Sequence, residues 1–216
     1  AGAGGTAVGL MCVDAGERAT LWARRPEIAD EISRERTNHA YLPDTVLPDT
    51  LEATSDADRA LAGADVVVVA VPSVGLIEQL RAWGDRIDPG ATLVSLVKGV
   101  DVASMRFGSQ LISETLDCDP TRVVVLSGPN LARECAARMP AASVAAGLDP
   151  ERAERVRAAV MAPYFRVYTN ADRVGVEVAG AVKNVIALAA GMAHGMGFGD
   201  NTKAAVITRG LAEMTR

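Results

Sequence analysis

Residues 65–73 read Asp65-Val66-Val67-Val68-Val69-Ala70-Val71-Pro72-Ser73, a short β-branched run that ends in a proline and a serine. Because the valines occupy consecutive positions, the run predicts a strand that is buried on both faces of a sheet. Similar runs recur along the chain, separated by helix-like segments rich in Ala, Arg and Glu. This alternation indicates an α/β fold in which helices cover both faces of a parallel sheet.

The pattern predicts where the elements lie and where it changes. Strands are expected at Ala19–Ala23, Asp65–Val71, Ala91–Val97, Arg122–Leu126, Ala141–Ala145 and Phe165–Tyr168. Helices are expected at Thr6–Asp14, Pro26–Arg36, Asp56–Leu61, Val74–Ile87, Ser104–Leu116, Leu131–Arg138 and Pro150–Met161, and then at Val174–Ala190 and Thr202–Thr215 on either side of a glycine-rich turn over residues 191–199. We therefore expect a dinucleotide-binding domain over residues 1–172 and the start of a helical domain over residues 173–216.

The composition excludes several classes of function. Hydrophobic residues make up 49% of the chain, which predicts a packed core, and the net charge of −5 comes without a basic block. Nucleic acid and anionic membrane are therefore not expected as partners. No apolar run reaches the roughly 18 residues that span a bilayer, so no membrane insertion is expected. The three cysteines and two histidines show no metal-ligand spacing, and reduced thiols favour a cytoplasmic protein.

The chain opens with Gly2-Ala3-Gly4-Gly5-Thr6-Ala7, which we interpret as a glycine-rich turn before a helix. Glycines allow a backbone to approach a pyrophosphate and to present N–H groups to it, so Gly2, Gly4 and Gly5 are candidate cofactor contacts. The spacing is G-x-G-G instead of G-x-G-x-x-G, and no strand precedes it. We therefore expect that residues of the natural protein are missing here. An ordinary glycine-rich turn is the alternative.

Two arginines follow the first predicted strand, where a dinucleotide-binding fold places its ribose contact. Arg24 and Arg25 lie roughly 20 residues after the glycines, at the position where an acidic residue would bind a 2′-hydroxyl. Arginines suit a 2′-phosphate, so the pair favours NADP(H). A solvated pair of charges at a helix start is the alternative.

Three consecutive strand ends carry residues suited to a ligand site: Val71-Pro72-Ser73, Val97-Lys98-Gly99 and Ser127-Gly128-Pro129-Asn130. Ligands of open α/β sheets bind beyond the carboxyl ends of the strands. Pro72 fixes the backbone angle at its position, and Gly128 allows a close approach. A small-molecule site is expected at this edge, with plain turns as the alternative.

A second lysine lies in Val182-Lys183-Asn184-Val185, inside the apolar run from Val174 to Ala190. Taking an ammonium group out of water costs free energy, so such a lysine usually has a partner or a function. A helix lysine that extends to solvent is the alternative. Together with Lys98 and the glycines, Lys183 suggests nicotinamide chemistry on a small phosphorylated substrate.

Taken in order, these segments resemble bacterial NAD(P)-dependent glycerol-3-phosphate dehydrogenase. The resemblance rests on Gly4–Ala7, Asn38–Pro43, Val71–Ser73, Lys98–Gly99, Ser127–Glu134, Phe165–Tyr168, Gly180–Val185 and Gly197–Ala205. It implies a Rossmann-like doubly wound sheet followed by a helical C-terminal domain. It also implies a cytoplasmic homodimer that uses NAD(P)H to reduce dihydroxyacetone phosphate reversibly to sn-glycerol 3-phosphate for phospholipid synthesis.

The resemblance assigns the catalytic roles. Lys183 matches the family's general acid and base, which would give a proton to the carbonyl oxygen as the hydride leaves the nicotinamide. Lys98 matches a lysine that contacts both substrate and cofactor, and its charge would lower the pKa of Lys183. Asn184 is expected to bind the substrate or to hold Lys183 in place.

The binding contacts follow in the same way. Gly128 and Asn130 match substrate-contacting positions, and Ala132 matches a cofactor-contacting position. Pro72 is expected beside the cofactor because it ends a strand at the same edge of the sheet.

The sequence also departs from the family pattern. A later substrate-binding segment, with an Asp and a Ser-Arg-Asn-like run, would lie beyond Arg216, and the stretch Gly99–Ser104 is short. We therefore expect an incomplete record or a fragment. Two other functions stay open: a different β-hydroxyacid-type dehydrogenase that also uses a lysine-asparagine pair, and a nicotinamide-nucleotide-binding module without turnover.

Overall fold

The structure is a computed structural model and describes residues 1–216. The helices are α1 Ala3–Asp14, α2 Pro26–Glu35, α3 Ala57–Leu61, α4 Leu76–Trp83, α5 Gly108–Thr115, α6 Ala132–Ala136, α7 Pro150–Val160, α8 Arg173–Gly195 and α9 Asp200–Met214. The strands are β1 Ala19–Trp22, β2 Leu51–Thr54, β3 Val66–Val69, β4 Thr92–Ser95, β5 Val100–Asp101, β6 Arg106–Phe107, β7 Val123–Ser127, β8 Ala141–Gly147 and β9 Phe165–Asn170. The Rossmann-like class with a helical C-terminal part is confirmed.

The strands form a five-stranded sheet in the order β3-β4-β7-β8-β9, a separate parallel pair β1-β2, and a small hairpin β5-β6. Helix α1 joins the two parallel arrangements through the core. Its residues Ala7 and Met11 pack in one cluster with Val94 of β4, whereas Leu10 packs in another with Leu21 of β1. Helix α1 therefore packs between the five-stranded sheet and the β1-β2 pair.

One strand pair differs from the parallel sheet that the alternating pattern predicted. Strands β7 and β8 run antiparallel, with Val124 opposite Gly147 and Ser127 opposite Val144. The connection between them holds only the five-residue helix α6. Such a helix rises about 7 Å, which is less than half the roughly 17 Å length of a five-residue strand. The chain therefore cannot cross back to the other end of the sheet, and β8 starts beside the carboxyl end of β7 and runs antiparallel to it.

Several boundaries correct the sequence predictions. Strand β2 was missed because its sequence, Leu51-Glu52-Ala53-Thr54, holds no run of β-branched residues, although Leu51 and Ala53 are buried in the cluster around α2. The helix expected from Ser104 begins at Gly108, because residues 100–107 form the β5-β6 hairpin, in which Met105 has a φ of 56°. The glycine-rich turn expected over residues 191–199 is shorter, because α8 continues to Gly195.

The expectation that no segment is long and apolar enough to span a bilayer was wrong for α8, which is 23 residues long and passes that test of length and composition. Its buried residues explain its place in the fold. Arg173, Glu177 and Gly180 lie on the side of the helix that faces the sheet, and Val185, Leu188 and further apolar side chains are exposed. Its polar contacts therefore tie α8 to the sheet along the first half of the helix.

Candidate active site

Two lysine ammonium groups meet at one backbone carbonyl beyond the carboxyl ends of β4 and β7. The Nζ of Lys183, on α8, donates to the carbonyl oxygen of Gly128 at 2.9 Å, and the Nζ of Lys98 donates to the same oxygen at 3.4 Å. The backbone N–H of Asn130 also donates to this oxygen, at 2.9 Å. The structure thus brings together the four residues that the sequence suggested for the substrate: Lys98, Gly128, Asn130 and Lys183.

The surroundings of Lys183 favour its neutral form. Partial burial lowers the pKa of Lys183 below its usual value, and the nearby positive charge of Lys98 lowers that pKa further. Both effects act against the charged ammonium, the first by removing water and the second by repulsion. Lys183 is therefore prepared to exchange a proton closer to neutral pH than an ordinary lysine, as a general acid and base must.

Gly128 occupies a position that no other residue could fill without movement. A Cβ atom there would lie 2.6 Å from the carbonyl oxygen of Ala142 and 3.0 Å from the Cα of Ser143. The glycine lets the loop after β7 lie against β8, and this contact fixes the carbonyl that the two lysines share. Such close approach is a role for which glycine is suited.

Asn130 has one satisfied and one unsatisfied amide atom. Its Nδ2 donates to the Oγ of Ser143 at 3.0 Å, whereas its Oδ1 is shielded from solvent and has no hydrogen-bond partner. Most buried polar atoms in folded proteins have a partner, so an unsatisfied acceptor at a candidate site is available to a ligand hydroxyl. The residues present therefore fit a substrate whose hydroxyl group donates to Asn130 Oδ1 and whose carbonyl oxygen, as it gains negative charge, lies beside the two lysines.

The glycines at the start of the chain lie in the first turn of α1 and at its N-cap, whereas the sequence predicted a turn that precedes the helix. Helix α1 begins at Ala3, with Gly2 as its N-cap and with Gly4 and Gly5 in the first turn. No side chain caps this end, so its free N–H groups suit a phosphate. A Cβ on Gly5 would lie 3.2 Å from the Cβ of Ala70, which follows β3. Gly5 thus brings the helix start against the end of that strand.

The remaining cofactor candidates lie at the same edge of the sheets. Arg24 and Arg25 follow β1 and are exposed, and neither belongs to an ion pair. Pro72 is exposed after β3. Ala132 is the first residue of α6 and packs partly against the core. The positions are compatible with one extended ligand that crosses the carboxyl ends of the strands.

Asn184 lies apart from this group. Its side chain is exposed, and no hydrogen bond joins it to Lys183. The sequence analysis instead overlooked two charged residues of the same helix, Arg173 and Glu177, which are only 8% and 6% exposed. Their signal was available, because charged residues four positions apart in an apolar helix indicate one polar stripe on its buried face.

Two family models match the chain. Residues 1–153 match the N-terminus of NAD-dependent glycerol-3-phosphate dehydrogenase, and residues 172–216 match its C-terminus. The chain belongs to the NAD-dependent glycerol-3-phosphate dehydrogenase family. The resemblance drawn from the sequence motifs is therefore confirmed, and the lysine cluster lies where the N-terminal and C-terminal matches meet in space.

Relatives in this family are similar over the whole of this chain. The glycerol-3-phosphate dehydrogenase [NAD(P)+] of Corynebacterium jeikeium is 56% identical, and that of Corynebacterium glutamicum is 52% identical, over 216 residues in each case. A crystal structure of glycerol-3-phosphate dehydrogenase from Coxiella burnetii has a TM-score of 0.86 and 35% identity, with 100% of this chain and 66% of that chain covered. The chain spans 65% of the length of the two Corynebacterium relatives.

Proposed function

We propose that the protein is an NAD(P)-dependent glycerol-3-phosphate dehydrogenase, an oxidoreductase that interconverts dihydroxyacetone phosphate and sn-glycerol 3-phosphate for phospholipid synthesis. The observation that carries this proposal is the meeting of Lys98 and Lys183 at the carbonyl of Gly128, in a chain of this family. The names of the Corynebacterium and Coxiella relatives support the same reaction.

The lysine pair supplies the acid and base chemistry. A bound nicotinamide supplies the hydride to the ketone carbon of the substrate. Lys183 gives its Nζ proton to the carbonyl oxygen as negative charge develops there, and the neutral amine takes that proton back in the reverse reaction. The hydride and the proton together convert the ketone to a secondary alcohol, so the atoms balance.

Lys98 acts on both the substrate and its partner lysine. Its exposed ammonium at the end of β4 suits the phosphate or the developing oxyanion of the substrate, because it is a compact positive charge. The same charge lowers the pKa of Lys183. The buried Oδ1 of Asn130 accepts a hydrogen bond from a substrate hydroxyl, which orients the carbon skeleton.

The cofactor lies along the other strand ends in this proposal. The N–H groups at the start of α1, around Gly2, Gly4 and Gly5, would hold the pyrophosphate, and Pro72 and Ala132 would contact the cofactor. Arg24 and Arg25 hold the 2′-phosphate of NADP(H), which makes NADPH the favoured form.

The organisation of the chain is part of the same proposal. Residues 1–172 form the dinucleotide-binding domain, and residues 173–216 belong to a helical domain for substrate binding and dimerisation. Exposed apolar side chains on α8 and α9, among them Val185, Leu188 and Leu211, support a homodimer built through that domain. We place the enzyme in the cytoplasm.

The deciding experiment is NADPH oxidation by the full-length protein, with and without dihydroxyacetone phosphate. Substrate-dependent oxidation is expected. Oxidation with another keto substrate only would instead indicate a different β-hydroxyacid-type dehydrogenase. Binding of NADPH without turnover of any ketone would indicate a non-catalytic binding module.

A further inference from the structure

Helix α5 receives its N-terminal cap from a residue far away in the sequence. Its own N-cap position is Phe107, which cannot accept a hydrogen bond with its side chain. Glu177 of α8 takes that role, because its Oε1 accepts from the backbone N–H of Ser109 at 2.9 Å and its Oε2 accepts from the Oγ of Ser109 at 2.6 Å. A carboxylate at this end also interacts favourably with the helix dipole.

Helix α8 is also attached near both ends of β7. Arg173 donates to the carbonyl oxygens of Pro120 and Val123 at the start of that strand, at 2.7 and 3.3 Å. Lys183 donates to Gly128, which follows its end. Ten helical residues rise about 15 Å, and the five steps from Val123 to Gly128 span about 16 Å of strand, so the two distances match.

Glycines set the closest contacts of this arrangement. A Cβ on Gly180 would lie 2.8 Å from the Oγ of Ser127, so the backbone of α8 packs directly against the Ser127 side chain at the end of β7. A Cβ on Gly108, the first residue of α5, would lie 2.6 Å from the Cβ of Val97, which immediately precedes Lys98. The bond between Ser109 and Glu177 therefore links the segment that carries Lys98 to the helix that carries Lys183.

We propose that Glu177 is a positioning residue: by capping α5 it fixes the rotation of α8 and so holds the Lys183 ammonium against the Gly128 carbonyl and beside Lys98. This inference rests on the proposed function of the lysine pair. Glu177 touches neither lysine and acts only through the helix.

The geometry indicates that small rotations matter. Turning α8 by about 10° moves a group at its outer radius of 5–6 Å by roughly 1 Å. A misplacement of about 1 Å in an active site can reduce the rate on the order of 100-fold. Arg173 fixes one end of the helix along its axis, but it lies ten residues from Lys183. Glu177 is the charged contact of α8 between these two positions.

The test compares Glu177→Ala and Glu177→Gln in the full-length protein. For Glu177→Ala we expect the kcat of ketone reduction to fall on the order of 10- to 100-fold, with the Kd for NADPH unchanged. Glu177→Gln should restore most of the rate, since its amide oxygen still accepts from the Ser109 N–H and its amide group can donate to the Ser109 hydroxyl. Ser109→Ala keeps the backbone bond and should give a smaller loss.

A matched control separates positioning from a simple loss of stability. Asp149 caps α7 by accepting from the N–H of Glu151 at 2.9 Å, away from the lysines. Asp149→Ala should therefore lower the melting temperature as a lost cap does, but it should leave kcat unchanged. An equal fall in kcat for Asp149→Ala and Glu177→Ala would overturn the inference.

A second readout does not need turnover. The rate at which acetic anhydride acetylates Lys183, followed by mass spectrometry of its peptide across pH, reports the titration of that amine. Lys98 is the charged group that faces Lys183, and β7 presents a carbonyl to it. In Glu177→Ala the midpoint of the Lys183 titration should move to higher pH, because Lys183 moves away from the charge of Lys98 and becomes less buried.

The two readouts keep the inference and the proposed function apart. A wild-type protein that does not reduce dihydroxyacetone phosphate would contradict the proposed function, while the acetylation profile would still test Glu177. An unchanged profile in Glu177→Ala contradicts the positioning role. If Glu177→Ala does not fold, Ser109→Ala must show a shift in the same direction, and its absence overturns the inference.

Discussion

The two halves of α8 differ in what holds them. From Arg173 to Lys183 the helix makes polar contacts with the carbonyls around β7 and with the start of α5. From Asn184 to Gly195 its side chains make no hydrogen bonds, most of its apolar side chains are exposed, and its close neighbour is α9. The first half therefore determines where Lys183, the proposed general acid, lies, and the second half presents a surface for packing. One continuous helix can both position Lys183 and present an apolar surface, because residues 173–183 make the polar contacts and residues 184–195 carry the exposed apolar side chains.

The largest effect that this comparison predicts is at Lys183, the last residue of the anchored half. Lys183→Ala should reduce turnover by about 10²- to 10⁴-fold, the usual contribution of a general acid, and should leave NADPH binding intact. Lys183→Arg should be nearly as inactive, because a guanidinium keeps the charge but does not release a proton in this pH range. Steady-state kinetics and NADPH titration check both variants. Loss of NADPH binding in both would make Lys183 a structural residue.

The pH dependence tests the electrostatic part of the same region. Because burial and Lys98 lower the pKa of Lys183, ketone reduction should decline as the pH rises through that lowered value, and alcohol oxidation should increase over the same range. Lys98→Met removes the repelling charge and raises the pKa of Lys183. The decline should then begin at higher pH.

The control for this prediction is the pH profile in both reaction directions. In Lys98→Met the decline of ketone reduction and the rise of alcohol oxidation should shift by the same amount, since both report the titration of Lys183. Substrate affinity is also expected to fall. A profile that stays at the wild-type pH would show that Lys98 does not act on Lys183.

The sequence revealed the anchored half only in part. Lys98 and Lys183 could be found because a lysine at a strand end and a lysine in an apolar run each stand out locally. Glu177 could not be paired from the sequence, because its partner Ser109 lies 68 residues earlier and the bond exists only after α5 and α8 pack together. The spacing of Arg173 and Glu177 indicates a buried polar stripe, but the partners of Arg173 could not be identified either, since its carbonyl acceptors belong to Pro120 and to Val123 of β7.

The free half was misjudged for a different reason. Its glycines suggested a turn from residue 191 onward, because each glycine lowers helix stability by about 1 kcal/mol relative to alanine. Packing of α8 against α9 outweighs that cost, as the contact between Ile186 and Gly210 shows: a Cβ on Gly210 would lie 2.8 Å from the Ile186 side chain. Strand β2 was missed because Leu51-Glu52-Ala53-Thr54 lacks the β-branched run that marks the predicted strands.

A smaller effect is expected at Arg173, at the beginning of the anchored half. Arg173→Met should lower the free energy of unfolding by about 1–3 kcal/mol, because the carbonyl oxygens of Pro120 and Val123 lose a donor in a buried place. Leu188→Ala, in the free half, should change the free energy of unfolding of the monomer by less than about 0.5 kcal/mol, since this leucine is 68% exposed within one chain. Urea denaturation of the two variants measures the difference. Equal losses would contradict the comparison.

The smallest effect comes from two glycines of α8, one in each half. A Cβ on Gly191 meets no atom within 4 Å, so Gly191→Ala should raise the free energy of unfolding by up to about 1 kcal/mol through helix propensity alone. Gly180→Ala should not show this gain, because its Cβ would lie 2.8 Å from the Oγ of Ser127 and the helix or the serine must move. The same displacement should lower kcat in Gly180→Ala only, because Lys183 lies one turn further along the helix. A stabilised and fully active Gly180→Ala variant would show that the first half of α8 tolerates movement as the second half does.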